Sequence, residues 1–211
     1  MPQTKSPLQT LQVAALEEGW NYREQARLGW WPNFIDAQQC QSTWDELNQL
    51  VTLEEGFINI YGKRHKIPRL QAWFGDHDYS YSGETLSSKP MVGILATLCE
   101  RCEQIAETRF NSVLVNYYRD GQDYMGWHAD DEDELGTQPV IASLTFGACR
   151  DFDLKHKQTG ERLRLALSDG SLLVMAGATQ HFWQHSLPKR LRLQQPRFNL
   201  TFRYIHSMDA D

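Results

Sequence analysis

The segment from Arg197 to Arg203, RFNLTFR, alternates strictly between polar and apolar residues. Its apolar members are Phe198, Leu200 and Phe202, and the positions between them hold two arginines, an asparagine and a threonine. A period of two predicts a β-strand with one face in a hydrophobic core. A strand face in bulk water rarely needs two fixed guanidinium groups. Because guanidinium binds carboxylate bidentately, the polar face predicts a small dicarboxylate held inside a barrel.

The second half of the chain contains many short strands of this kind, with turn signals at Asp169-Gly170 and Ala176-Gly177. This pattern predicts a mostly β protein with flanking helices, here a jelly roll of the double-stranded β-helix (cupin-like) kind. The helices are expected from Asp36, as the N-cap, to about Leu50, and from Pro90 to about Thr108. The predicted strands of the second half are 112–118, 127–130, 140–146, 151–156, 162–167, 171–175, 183–186 and 197–205.

A candidate metal site lies in the stretch 115–132, where His128 and Asp130 are separated by a single residue. In an extended segment, residues i and i+2 lie on one face, so both side chains can reach a single point. His185 is a candidate third ligand. Two histidines and one carboxylate form the facial triad of non-heme Fe(II) oxygenases. On spacing alone, the alternative is an acidic surface loop with an unrelated core histidine.

The triad and the strand with two arginines together indicate 2-oxoglutarate as a co-substrate. Asn116 and Tyr118, two apart on a predicted strand, can add hydrogen bonds to the same acid.

These motifs resemble the AlkB family of Fe(II)/2-oxoglutarate-dependent nucleic-acid demethylases. The resemblance rests on N-x-Y at 116–118, H-x-D at 128–130, H-S-L-P at 185–188 and R-x-N-x-T-x-R at 197–203. It covers roughly residues 55 to 205, and is closest to the branch whose animal member repairs alkylated duplex DNA. Further matching segments are 61–63, 68–69, 74–76, 79–83, 142–152 and 170–173.

The resemblance implies that His128, Asp130 and His185 hold Fe(II), with O2 and 2-oxoglutarate as the co-substrates. Arg197 and Arg203 are expected to pair with the two carboxylates of 2-oxoglutarate. Spacing leaves both assignments open, and Arg197 is favoured for the distal carboxylate. The implied reaction is oxidative demethylation of N1-methyladenine and N3-methylcytosine in DNA, releasing formaldehyde, succinate and CO2. The residues expected to donate or accept neutral hydrogen bonds to 2-oxoglutarate are Asn116, Tyr118, Asn199 and Thr201.

A base must leave the double helix to reach the iron, so the resemblance also implies a stacking pocket. Tyr79 and Tyr81, with His128, are expected to stack on the base, and Ser82 and Glu132 to read its edge. Without the resemblance, Glu132 is equally well one more member of an acidic loop.

Tyr61 lies at the tip of a predicted hairpin beside four cationic or imidazole side chains. An aromatic ring there suits insertion into a base stack, whereas the alternative is a ring that packs on its own hairpin. In the resemblance, this position is the finger that fills the gap left by the flipped base. The expected contacts with the nucleic-acid backbone or the opposite strand are Lys63, Arg64, Arg69, Arg190 and Arg192.

For the domain organisation, we expect an N-terminal extension at 1–27 and a single dioxygenase domain at 28–211. Within the domain, nucleotide-recognition hairpins are expected at about 55–85 and the jelly-roll core at 110–205. The four cysteines do not indicate a disulfide framework, because Cys99 and Cys102 lie in a helical run and no second pair at zinc-site spacing follows. Free thiols are expected instead.

The net charge of −6 is unusual for a protein that binds nucleic acid. Its cations are clustered at 63–69, 155–157 and 189–192, however, and each cluster is either a phosphate-binding patch or ordinary solvated charge.

The sequence contains no apolar run of the ~20 residues that a membrane span needs and no secretory pattern at its start. We therefore expect a protein inside the cell, with the nucleoid in a bacterium or in the nucleus in a eukaryote. We also expect it to be a monomer. The expected partner is duplex DNA, and the first alternative is single-stranded DNA or RNA. The second alternative is a non-catalytic jelly-roll binding module, although a pure binder needs neither the triad nor the two arginines.

Overall fold

The computed structural model describes residues 12–13, 15–60, 62–81 and 84–206. Most of the fold consists of two sheets that pack face to face. The strands are β1 (Gln12–Val13), β2 (Gly19–Arg23), β3 (Ala26–Trp31), β4 (Glu54–Ile60), β5 (Lys63–Gly75), β6 (Tyr79–Tyr81), β7 (Glu84–Leu86), β8 (Ser112–Tyr118), β9 (Met125–His128), β10 (Ile141–Gly147), β11 (Arg150–His156), β12 (Arg162–Leu167), β13 (Leu172–Ala176), β14 (Trp183–Leu187) and β15 (Arg197–Arg203).

The larger sheet has eight strands in the order β2-β3-β13-β10-β15-β8-β5-β4. The smaller sheet has five strands in the order β1-β12-β11-β14-β9, and β6 pairs with β7 separately. In the second half of the chain, β8, β10, β13 and β15 lie in the larger sheet and β9, β11, β12 and β14 in the smaller one. The chain therefore crosses repeatedly between the sheets, as expected of the predicted jelly roll. Every strand predicted in the second half of the chain is present, with ends shifted by a few residues at most.

The apolar and polar residues of β15 face opposite sides of the sheet, as the sequence predicts. Phe198, Leu200 and Phe202 belong to the core between the larger sheet and the helices. The polar residues of β15 face the space between the two sheets, and every residue of the strand is buried. The hydrophobic core on that second side combines Leu114 and Leu173 of the larger sheet with Phe152 and Leu165 of the smaller one.

Two longer helices cover the outer face of the larger sheet. Helix α1 (Ala37–Leu50) begins after Asp36, whose carboxylate accepts a 2.8 Å hydrogen bond from the Gln39 N–H, as predicted. Helix α2 (Ile94–Ala106) starts later than the predicted Pro90. The cause is Gly93, whose φ of 58° is incompatible with a helix that runs through it.

Part of the N-terminal segment packs into the sheets. Strands β2 and β3 join the edge of the larger sheet through β13, so described residues within the predicted 1–27 extension belong to the sheet. The predicted hairpin region is formed by β4 and β5, and β5 continues into the larger sheet beside β8. Within the described ranges, no helix combines the length and apolar character needed to cross a bilayer.

Candidate active site

A cavity lies between the two sheets, and the polar face of β15 forms one of its walls. The larger sheet contributes Asn116, Tyr118, Ser143, Arg197, Asn199, Thr201 and Arg203 to the lining. The opposite wall comes from the smaller sheet and the loop after β9, and it contains His128, Asp130, Glu132, Phe152 and His185.

The three predicted metal ligands come together at this second wall. His128 and His185 are direct partners in the register of β9 and β14, which explains how residues far apart in sequence become neighbours. The sequence predicted a strand at 127–130. In the structure, β9 ends at His128, and Asp130 lies in the loop that follows. The ligand atoms offered by His128, Asp130 and His185 nevertheless all lie within 4.8 Å of one another.

The tautomer of His128 is fixed by its surroundings. Its Nδ1 lies 2.9 Å from the carbonyl oxygen of Gly126. A carbonyl oxygen only accepts, so Nδ1 carries the proton and the Nε2 lone pair is directed elsewhere. Nε2 is 3.7 Å from Asp130 Oδ1, so the lone pair lies on the side where a metal would be bound.

The charge states of the other two ligands also suit a metal. Burial lowers the pKa of His185 to about 3, and the adjacent His128 ring adds to this shift. His185 is therefore neutral at physiological pH. Burial alone would raise the pKa of the Asp130 carboxyl, but Arg203 and the two imidazoles outweigh it and hold this pKa well below its usual range. Two neutral imidazoles and one carboxylate are the donor set that divalent iron prefers.

Arg203 contacts this metal-binding wall directly. Its Nη2 and Nε donate to Asp130 Oδ2 over 2.8 and 3.2 Å, and both side chains are buried. Arg203 thus fixes the carboxylate that would coordinate the metal, a contact that the sequence did not predict. Its pairing with 2-oxoglutarate remains a prediction.

Arg197 is in a different environment. It is 1% exposed, and its Nη2 donates to Thr145 Oγ1 over 2.9 Å. Burial lowers its pKa to about 10, so the guanidinium remains charged. Within the described residues, its Nε has no hydrogen-bond partner and no carboxylate forms a salt bridge with it. A buried fork of this kind fits the carboxylate of a bound acid.

The neutral residues on the same wall form a short hydrogen-bonded row. Thr201 Oγ1 donates to Asn199 Oδ1 over 3.1 Å, and Asn199 Nδ2 donates to Ser143 Oγ over 2.9 Å. Asn116 pairs with Asn199 across the strands and accepts a 2.7 Å hydrogen bond from Arg69. Sequence reasoning missed Ser143 and Thr145. A signal existed, because they are polar residues at alternate positions of an otherwise apolar strand.

The chain matches the 2OG-Fe(II) oxygenase superfamily over residues 27–203. It is 39% identical over 191 residues to alpha-ketoglutarate-dependent dioxygenase alkB homolog 3 of Mus musculus, covering 86% of this chain and 67% of the relative. It is 47% identical over 158 residues to DNA oxidative demethylase ALKBH2 of Mus musculus, covering 70% of this chain and 66% of the relative. The chain belongs to the AlkB family of 2OG-Fe(II) oxygenases.

The matched part of this AlkB-family chain spans about two thirds or less of some relatives, 66% of ALKBH2 from Mus musculus and 57% of ALKBH2 from Bos taurus. Two solved structures show the same fold at low identity. The structure of OsALKBH1 superposes with a TM-score of 0.62 at 15% identity, covering 90% of this chain and 100% of that chain. A 2OG-Fe(II) oxygenase from Burkholderia pseudomallei gives 0.56 at 14%, covering 85% of each chain.

Family membership confirms the expected fold and the expected use of Fe(II), 2-oxoglutarate and O2. The residues predicted to bind the base are placed only in part. Glu132 lines the cavity close to Asp130. Tyr79 and Tyr81 lie on β6, but their side chains, together with Ser82 and Tyr61, are outside the described residues.

The residues predicted to bind the nucleic-acid backbone occupy different environments. Lys63 and Arg64 are exposed on β5, and Arg64 also lies 3.8 Å above the Phe57 ring. Arg69, by contrast, is 4% exposed and lines the cavity. That position suits a contact inside the cavity and is poorly placed for an outer phosphate.

Arg190 and Arg192 lie on the loop between β14 and β15. Arg192 is exposed. Arg190 is half-buried and donates from Nε and Nη2 to the Asp151 carboxylate, so it also anchors the loop.

The same loop is held against Gly121. Arg190 N–H donates to Gly121 O over 2.7 Å, and Gly121 N–H donates to Leu193 O over 2.9 Å. A Cβ on Gly121 would lie 1.8 Å from the carbonyl oxygen of Arg190. Gly121→Ala is therefore expected to lower the free energy of unfolding by about 1–3 kcal/mol, the usual cost of overpacking. Urea denaturation measures this loss.

Gly126→Ala is the matched control, because a Cβ there meets nothing within 4 Å. Its unfolding free energy should remain within about 0.5 kcal/mol of the wild type, as for surface substitutions. Equal stability of the two variants would contradict the tight contact between Gly121 and the loop.

Proposed function

We propose that the protein is an Fe(II)- and 2-oxoglutarate-dependent dioxygenase that oxidatively demethylates alkylated bases in DNA. The observation that carries the proposal is the juxtaposition of two sets of groups across one cavity. On one wall, His128, Asp130 and His185 present their ligand atoms within 4.8 Å of one another. On the other, Arg197 presents a buried guanidinium with an unused donor.

In this proposal, different residues of the cavity bind the iron and the 2-oxoglutarate. His128, Asp130 and His185 would hold the iron, and Arg203 fixes the Asp130 carboxylate by hydrogen bonding. The residues proposed to hold 2-oxoglutarate are Arg197, Arg203, Asn199, Thr201, Asn116 and Tyr118. Iron bound with 2-oxoglutarate supplies oxidation of an N-methyl group by O2, with succinate, CO2 and formaldehyde as products.

The substrate proposal is based on charge and on the relatives. N1-methyladenine and N3-methylcytosine are cationic, and Glu132 places a carboxylate in the cavity wall. Related proteins that align with this chain include ones named DNA oxidative demethylase. Tyr79, Tyr81 and Ser82 are proposed to complete the base pocket. We also propose that the protein acts as a monomer in the compartment that holds the genome.

For the form of the DNA, we propose a duplex. The exposed cations Lys63 and Arg64 flank the hairpin tip, and Arg192 is exposed on a separate loop. Cations at separate places can bind phosphates of both strands. In the proposal, Tyr61 fills the space vacated by the flipped base.

The experiment that tests the function measures succinate and formaldehyde with Fe(II), 2-oxoglutarate and ascorbate present. Four reactions are compared: methylated duplex DNA, the same strand alone, methylated RNA, and unmethylated duplex. Fastest formaldehyde release from methylated duplex supports the full proposal. Faster release from single-stranded DNA or RNA would contradict duplex DNA as the substrate and support the alternative. Binding of DNA without either product would indicate a non-catalytic module.

Tyr61→Ala is expected to slow repair of methylated duplex by about tenfold or more. Base–aromatic stacking is worth about 1–3 kcal/mol, and each ~1.4 kcal/mol changes a rate tenfold. A single strand has no gap to fill, so repair of the same lesion in a single strand should change little. The measurement is the single-turnover rate on both substrates at one salt concentration, because the nearby cations make binding salt-dependent.

Tyr61→Phe is the control, since it keeps the ring and removes only the hydroxyl. It should repair duplex at nearly the wild-type rate. Equal losses for Tyr61→Ala on duplex and single strand would contradict the finger role and indicate a general contribution to folding or binding.

A further inference from the structure

The loop that carries Asp130 lacks the support of a strand. Strand β9 ends at His128, so neither sheet fixes the backbone of Asp130 by ladder hydrogen bonds. Asp130 is nonetheless 4% exposed. A buried peptide N–H needs a partner, and a carboxylate on an unsupported loop can rotate away from a metal.

The partner is a side chain from the short helix α3 (Thr179–Phe182), which connects β13 and β14. Gln180 Oε1 accepts a 2.9 Å hydrogen bond from the Asp130 N–H, and Gln180 is 1% exposed. Its Nε2 lies 3.5 Å from Met175 Sδ at the end of β13. The amide is thus oriented with its oxygen toward the loop and its nitrogen toward the larger sheet.

A second side chain braces the same loop from outside. Lys157 Nζ donates to Asp131 Oδ2 over 3.1 Å and to the main-chain oxygen of Gln180 over 2.9 Å. Lys157 N–H also donates to Phe182 O over 2.7 Å. Lys157 therefore ties the residue after the candidate metal ligand to the helix that carries Gln180.

We propose that Gln180 is a positioning residue for the metal ligand Asp130, with Lys157 as an outer brace. The inference rests on the metal set of the proposed function. Arg203 fixes the Asp130 carboxylate and Gln180 fixes its main chain, so the ligand is held at both ends. Neither Gln180 nor Lys157 lines the wall that faces Arg197, and their effect is on the metal through Asp130.

The test is titration of metal-free protein with Co(II), followed by its visible absorption, together with thermal melting without metal. Gln180→Met keeps the length and burial of the side chain but removes the acceptor. It is expected to weaken Co(II) affinity about tenfold or more, as loss of an outer-shell partner does. Lys157→Met removes only the exposed brace and should weaken affinity about twofold to fivefold, in keeping with a surface ion pair.

Thr179→Val is the matched control. Thr179 is the neighbouring residue of α3, 1% exposed, and its hydroxyl donates to Ala176 O and accepts from Arg27 N–H. Neither of these hydrogen bonds involves the loop that carries Asp130. It should lower the melting temperature while leaving Co(II) affinity within about twofold, which separates a folding effect from a positioning effect.

Wild-type Co(II) affinity in a folded Gln180→Met protein would overturn the proposal. If Gln180→Met does not fold, wild-type affinity in Lys157→Met would overturn it. Asp130→Asn, titrated in parallel, shows whether a negative result contradicts the metal set or only the role of Gln180. Undiminished Co(II) binding by Asp130→Asn would refute the metal set itself, whereas a loss in Asp130→Asn alone would refute only the role of Gln180.

Discussion

Asp130→Ala is expected to abolish demethylation. The substitution removes the anionic group of the candidate metal set and leaves two neutral imidazoles, which are insufficient to hold Fe(II) at ordinary concentrations. The structure adds a cost in stability, because Asp130 and Arg203 form a buried ion pair. Removing one partner of such a pair typically costs about 3–5 kcal/mol. The measurements are formaldehyde release and urea denaturation.

Asp130→Asn separates the two effects. The amide oxygen can still accept from Arg203, so most of the stability should be retained while the anionic ligand is lost. We expect a folded protein with activity reduced by more than the roughly 10–100-fold that loss of an outer-shell partner costs, because a ligand itself is lost. Normal turnover by either variant at ordinary iron concentrations would refute the assignment of the metal ligands.

Arg197→Lys is expected to weaken 2-oxoglutarate binding by about 1–3 kcal/mol, the value of a charge-assisted hydrogen bond. Each 1.4 kcal/mol corresponds to about a tenfold change in Kd. Lysine retains the charge but loses the planar fork, and its ammonium cannot contact Thr145 and a carboxylate with the same geometry. Calorimetric titration of the Mn(II)-loaded protein with 2-oxoglutarate under anaerobic conditions measures the change.

Arg164→Lys is the control for the loss of a guanidinium fork as such. Arg164 donates from Nε and Nη2 to the Asp153 carboxylate over 2.6 and 2.7 Å, outside the cavity. Its substitution should leave the Kd for 2-oxoglutarate unchanged. Wild-type binding of 2-oxoglutarate by Arg197→Lys would mean that the buried guanidinium has another task. Arg203→Lys should weaken metal binding, because Arg203 contacts Asp130. It should also weaken 2-oxoglutarate binding, because Arg203 is predicted to pair with one of its carboxylates.

The sequence predicted those features that depend on a short period or on residue type. The alternation of 197–203 located β15 and its two faces, and the H-x-D spacing with His185 located the metal set. The prediction for β15 works because a strand directs alternate side chains to opposite faces. The metal set was found by residue type and spacing, although Asp130 lies in the loop after β9 and not on a strand. The N-cap of α1 was predictable from residue type, since an aspartate before a helix satisfies a particular N–H.

Features that depend on contacts between distant segments were not predictable. Strands β2 and β3 lack a strong alternating pattern, and they are strands because β13 offers them an edge. Nothing near Arg203 in the sequence indicates that its partner is Asp130. Gln180 lies in a run of aromatic and polar residues with no periodic signal, and its role follows only from where α3 meets the loop after β9.

The division of the cavity between two sheets has a consequence for the protein in the cell. His128 and His185 belong to the smaller sheet, whereas Arg197 and Asn199 belong to the larger one. Iron and 2-oxoglutarate bound together would cross-link the sheets and stabilise the native state by mass action. Proteases remove proteins in proportion to their unfolded fraction. Starvation for iron or for 2-oxoglutarate is therefore expected to shorten the lifetime of the protein as well as slow its turnover.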